Sequence, residues 1–107
     1  MEPLLILTNV PDVANAEKLA HALVGERAAA CVNVLTACRS IYRWQGRVET
    51  VDEIPLLIKT VAENYPLVEA IVRRHHPYDV PELIAVPITY GLPAYLDWVV
   101  KETERHD

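Results

Sequence analysis

The sequence predicts a single-domain α+β sandwich of the split βαβ type. Three observations carry that expectation. Apolar runs and helix-period stripes follow one another as strand, helix, strand, strand, helix, strand, helix. The paired strands in the middle are separated only by a turn near Gln45-Gly46. A chain of 107 residues, 51% of them apolar, is long enough for one core and too short for two.

Leu4 to Leu7 is wholly apolar and is stopped by Thr8-Asn9-Val10-Pro11, so it reads as a buried central strand. Asp12 then caps a helix whose stripe is Ala16, Leu19, Ala20 and Leu23 and whose stop is Gly25. His21 lies off that stripe, four residues after Glu17, as a solvated side chain. Residues 29–35, AACVNVL, form the second strand, and residues 39–60 form a long hairpin. In its far arm Ile54, Leu56 and Ile58 share one face. Glu53, Pro55, Leu57 and Lys59 share the other, a mixed face that expects partial cover. The near arm carries Ile41, Tyr42 and Trp44 on a ribbon too long for a small domain to bury. A lone two-stranded ribbon is marginal in water and its open edge invites pairing, so a second subunit is expected to receive it, with Trp44 in the intersubunit core.

Asn64 or Tyr65 caps the next helix, with Pro66 in its first turn and Leu67, Val68, Ile71 and Val72 on its buried face. Pro77 ends it at His75 or His76, because the residue before a proline is pushed out of the α region. ELIAVPITY, 82–90, is a strand that Pro87 demotes to a sheet edge or a bulge. The last helix starts beside Pro93, with Leu92, Tyr95, Leu96 and Val99 at helical spacing. Lys101 to Asp107 reads as a charged tail, and His106 in it as disordered rather than functional. This order is ferredoxin-like, with the first and third strands central and the second and fourth at the edges. Pro87 agrees with that placement. Pro55 on the third strand is expected to mark a bulge where the ribbon leaves the sheet.

The net charge is -5, from 10 basic and 15 acidic side chains, which argues against a nucleic-acid partner even though Arg39, Arg43 and Arg47 recur at spacing four. Neither a membrane-length apolar run nor a cleavable leader is evident, so the chain reads as soluble, unprocessed and cytoplasmic, with no membrane partner. Cys31 and Cys38 form neither a disulfide framework nor a zinc-knuckle pattern. On one unbroken strand their odd separation would point them to opposite faces.

The runs AACVNV, SIYRWQGRVE, IKT, HHPYDVPELIAVPI and YLDWV, in this order and spacing, resemble the CutA family of divalent-cation tolerance proteins. The resemblance covers Leu5 to Val99 and implies a ferredoxin-like fold, a homotrimer whose long hairpins cross between subunits, and an architecture like that of the PII signalling proteins. It also implies a link to copper tolerance and copper or another divalent cation as ligand. In bacterial members copper ligation is attributed to the two histidines of HHPY, which are His75 and His76 here, and to a cysteine at the end of the first strand. That last position is Thr8 in this chain. The soft thiolate suited to Cu(I) is therefore replaced, which leaves imidazoles suited to Cu(II) or Zn(II).

Three readings of His75-His76 stand side by side. In the first, His76 caps the helix and packs on Tyr78 while His75 is exposed. In the second, the pair binds a divalent metal, although adjacent helical residues project about 100° apart and need a further ligand such as Asp79, Glu82 or a neighbouring subunit. In the third, a subunit-interface pocket gathers Cys31, Glu53, Lys59, His76 and Tyr78 around an unidentified small molecule or anion, as in PII-like proteins. A nucleophile-and-base motif and a glycine-rich phosphate loop are both lacking in a chain with 3 glycines, so no enzymatic activity is expected.

Overall fold

In the computed structural model, which describes residues 1–105, the elements run β1 (Pro3–Val10), α1 (Val13–Gly25), β2 (Cys31–Val34), β3 (Cys38–Trp44), β4 (Arg47–Val61), α2 (Tyr65–His75), β5 (Ile84–Pro87) and α3 (Pro93–Glu102). The antiparallel sheet has the order β2-β4-β1-β5, and β3 continues along β4 where β2 leaves off. This is the ferredoxin-like arrangement: β1 and β4 are central, and Pro87 lies on the edge strand β5, where a missing N–H costs no ladder bond. The expected strand 82–90 shortens to four residues, all exposed.

Alternation along β1 and β4 places Leu4, Ile6, Val10, Ile54, Leu56 and Ile58 in the core, under Leu19 and Leu23 of α1 and Val68, Ile71 and Val72 of α2. Each fully buried aliphatic side chain contributes about 1.5–3 kcal/mol through removal from water. Asp12 is the N-cap of α1, its carboxylate accepting from the Asn15 N–H at 2.8 Å. Asn64, one of the two residues expected to cap α2, holds the N-cap position, but it closes a 3-10 turn, Ala62–Asn64, with helical backbone angles and no side-chain capping bond. Its buried amide instead donates to the carbonyls of Arg27, at 3.1 Å, and Thr103, at 3.2 Å. The expected tail also starts later. Lys101 and Glu102 belong to α3, and Thr103 is buried with its hydroxyl bonded to the Val99 carbonyl at 2.8 Å. The expectation for His106 lies outside the described residues. α3 packs against β4 and β1. Val99 and Val61 are both fully buried outside the main core, on the side of β4 that alternation turns away from α1 and α2.

The ribbon leaves the sheet differently from the expectation. The β1–β4 register runs unbroken through Asn9↔Pro55 to Val10↔Ile54, so β4 has no bulge at its proline. The irregularity is on the opposite strand: Val34 pairs with Leu56 and Cys38 with Glu53, so three residues, Leu35 to Ala37, face only Ile54 and Pro55. One extra residue is a bulge, and it lies between β2 and β3. Pro55 accepts from the Leu35 N–H at 3.0 Å. Its carbonyl and its missing donor therefore both face the bulge, where the partner is already out of register.

The slip has a geometric result, since each one-residue shift exchanges the two faces of a strand. Cys31 lies opposite Lys59 and Cys38 opposite Glu53, so the cysteines share a face of β4 despite their odd separation. Tyr42 and Trp44 join Glu53 and Val51 on that face of the ribbon, while Ile41, Arg43 and Val48 take the other. At the tip, Gln45 (φ 49) and Gly46 (φ 81) both adopt positive φ, as a two-residue turn matched to strand twist requires. Beyond Ile54 the ribbon is two-stranded.

Candidate functional site

Pro77 ends α2 as expected. His76 is extended (φ -83, ψ 133), and its N–H makes the last helical bond, to Val72 O at 2.8 Å. The extended backbone turns the imidazole towards the end of β1. There Nε2 lies 2.6 Å from the Asn9 carbonyl, and Nδ1 lies 3.1 Å from the Tyr78 N–H. An amide N–H can only donate, so Nδ1 is the bare nitrogen and Nε2 carries the proton that it donates to Asn9; the tautomer follows from this network. His76 is 8% exposed and packs on Tyr78 with ring centroids 4.8 Å apart. It makes no cap to the helix carbonyls through its ring. His75, one residue earlier, is half-buried and makes no side-chain hydrogen bond among the described residues.

The far end of the loop is tied to the same strand. The Thr8 hydroxyl donates to the Glu82 carbonyl at 2.6 Å, and the Asn9 amide donates to Glu82 Oε1 at 3.2 Å. Thr8 and Asn9, expected to stop the first strand, are paired within β1, and they hold both ends of the segment from His76 to Glu82, a role not readable from the sequence.

This loop and the ribbon enclose a groove of about 520 Å³. The ribbon lines it with Tyr42, Trp44, Val51 and Glu53, and the loop with Tyr78, Asp79, Val80 and Glu82. Glu53 is buried. Partial burial raises the Tyr78 phenol above its ordinary value, and the Glu53 carboxylate beside it adds to the shift, because a nearby negative charge opposes ionisation.

Of the five residues proposed for one pocket, the chain brings together Glu53, Tyr78 and the His76 that supports Tyr78. Cys31 and Lys59 are paired at the other end of β4, six residues or roughly 20 Å from Glu53. There the Lys59 ammonium donates to Asn33 Oδ1, and burial with the nearby Cys31 thiol raises the Tyr95 phenol. Only a second chain can bring the two ends of β4 to one cleft. Among the described residues no group of three or more His, Cys, Asp or Glu side chains is arranged to hold a metal ion, so one chain does not form a closed metal centre.

Comparison with known proteins decides the family. The model of the CutA1 divalent ion tolerance protein matches residues 4–102. The chain belongs to the CutA1 family. It is 46% identical over 103 residues to the divalent-cation tolerance protein CutA of Thermus thermophilus, covering 96% of this chain and 99% of that one. The crystal structure of CutA from Xylella fastidiosa superposes with a TM-score of 0.94 at 44% identity, over 97% of this chain and all of that one. A periplasmic divalent cation tolerance protein CutA from Archaeoglobus fulgidus gives a TM-score of 0.92 at 32% identity, over 95% and 99% of the two chains. The resemblance seen in the five sequence runs and the ferredoxin-like fold are both established by these matches. Within this CutA1 chain no helix of the described residues is long and apolar enough to cross a membrane.

Proposed function

We propose that the chain acts in divalent-cation tolerance as a homotrimer. The observation that carries the assembly is the free side of the ribbon: Ile41 is 68% exposed and Val48 64% on a two-stranded segment. Apolar groups on an open ribbon are better covered by another copy, and the other face of the sheet adds exposed Ile84 and Val86. Light scattering at micromolar concentration is expected to give three times the chain mass for wild type and a smaller mass for the Ile41→Lys, Val48→Lys double variant. A monomeric wild type overturns the assembly.

The metal function falls on His75. Its ring nitrogens are free to ligate, whereas those of His76 are committed to Asn9 and Tyr78. One imidazole binds Cu(II) or Zn(II) weakly, so carboxylates or a neighbouring subunit must complete the site. Calorimetric titration with Cu(II) is expected to show a weak isotherm that His75→Ala abolishes; an isotherm unchanged in that variant rejects His75 as ligand. The chain carries out this role in the cytoplasm, where its two free thiols, Cys31 and Cys38, are kept reduced.

A second reading, a PII-like ligand pocket, is favoured by the groove between ribbon and loop. Among the described residues its lining has three carboxylates and no basic side chain, which suits a cation and not the anion that PII-like architecture suggests. No catalytic role is proposed for it.

A further inference from the structure

The charge and shape of the groove specify a ligand class. Glu53 is 8% exposed and lines the groove, yet among the described residues of the chain no Lys, Arg or His pairs with it. Among the described residues the ion pairs are Arg39–Asp52 and Arg74–Glu26, neither of which reaches it. Burying a carboxylate without a counter-charge is costly, so a cation seated against Glu53 relieves an existing penalty. Asp79 and Glu82 add two more carboxylates from the loop side. A single monovalent ion leaves that wall uncompensated, and the carboxylates are not gathered as metal ligands. Between the acids stand the rings of Tyr42, Trp44 and Tyr78. Aromatic faces attract ammonium groups and also pack against methylene chains.

Separated carboxylates with aromatic walls match a flexible chain that carries several ammonium groups spaced by methylenes. We propose that the groove binds an aliphatic polyamine of the putrescine–spermidine class, one terminal ammonium donating to Glu53 and another facing Asp79 and Glu82. The proposal rests on the pocket reading and is independent of metal binding at His75. The Tyr78 hydroxyl beside Glu53 can orient the carboxylate, and the raised Tyr78 phenol agrees with a negative field in the groove.

The test is calorimetric titration of the full-length protein at low salt with spermidine, putrescine and the uncharged 1,4-butanediol, with light scattering on the same samples. Spermidine is expected to bind more tightly than putrescine by about tenfold, and butanediol to give no heat. Glu53→Gln is expected to weaken spermidine by tenfold or more. Asp79 is exposed, so Asp79→Asn tests the same site without risk to the fold and is expected to weaken binding by roughly three- to tenfold. Butanediol binding as well as putrescine overturns the proposal, as does spermidine binding unchanged in both variants. A wild type of trimer mass that ignores spermidine also overturns it while leaving the assembly intact. If Glu53→Gln then lowers that mass, the groove's cation is a side chain of a second copy.

Discussion

His76→Ala is expected to lower the stability of the protein by about 2–4 kcal/mol, and His75→Ala to change it by no more than about 0.5 kcal/mol. The two residues are neighbours with the same side chain, and the difference lies in what each ring touches. His76 is buried, donates to the Asn9 carbonyl, accepts from the Tyr78 N–H and packs on the Tyr78 ring. Alanine removes two hydrogen bonds worth about 1 kcal/mol each and strands the Asn9 carbonyl near a new void. His75 has no side-chain hydrogen bond to lose among the described residues. Thermal unfolding at one fixed protein concentration checks this, because the proposed assembly would make the midpoint concentration-dependent. Equal midpoints for the two variants would refute the structural role of His76. Together with the proposed copper titration the pair would form a double dissociation, stability lost with one histidine and ligation with the other.

Deleting Thr36 is expected to do more damage than any substitution on the ribbon. Without the extra residue between Val34 and Cys38, β3 must either flip its faces or slide along β4. Flipping removes Tyr42 and Trp44 from the groove and brings in Ile41 and Arg43. Sliding moves the turn off Gln45-Gly46, where both residues already hold the positive φ that a two-residue turn needs. Either outcome should cost at least about 2 kcal/mol and abolish amine binding in the groove. The readouts are the unfolding midpoint, the fluorescence of Trp44 against a Trp98→Phe background, and spermidine calorimetry. A deletion variant that matches wild type in all three would mean that the bulge does not set the ribbon's facing.

The elements were legible because each had a local cause. The apolar run at Leu4 to Leu7, the stripe from Ala16 to Leu23, the turn at Gln45-Gly46 and the stop at Pro77 can all be read without knowing what lies across from them. What stayed illegible depends on pairing between distant segments. Pro55 drew the expected bulge to the wrong strand, because a missing donor is visible in sequence while an extra residue opposite it is not. Asn64 looked like a cap because it precedes a helix with proline in its first turn; its amide is used on carbonyls 37 and 39 positions away. The ribbon wall of the groove follows from alternation and the two-residue turn, whereas the loop wall, Tyr78 to Glu82, depends on contacts between distant segments and was not legible. Thr8 stood out as a departure from the family's thiol, and its hydroxyl holds the Glu82 end of the loop that begins at His76.

β4 runs from Arg47 to Val61 without interruption, shared by the sheet and the ribbon. The half of β4 from Ile54 to Val61 is hydrogen-bonded to β1, and the ribbon half, Arg47 to Glu53, continues directly from it. The opposite wall of the groove, the loop, is tied at both ends to β1, the next strand in that sheet. Both walls are thus rooted in one frame, the ribbon through β4 and the loop through β1. Walls that share a frame would arrive at a ligand already placed, so the proposed amine would be selected by girth and charge spacing and would lose little to ordering the site.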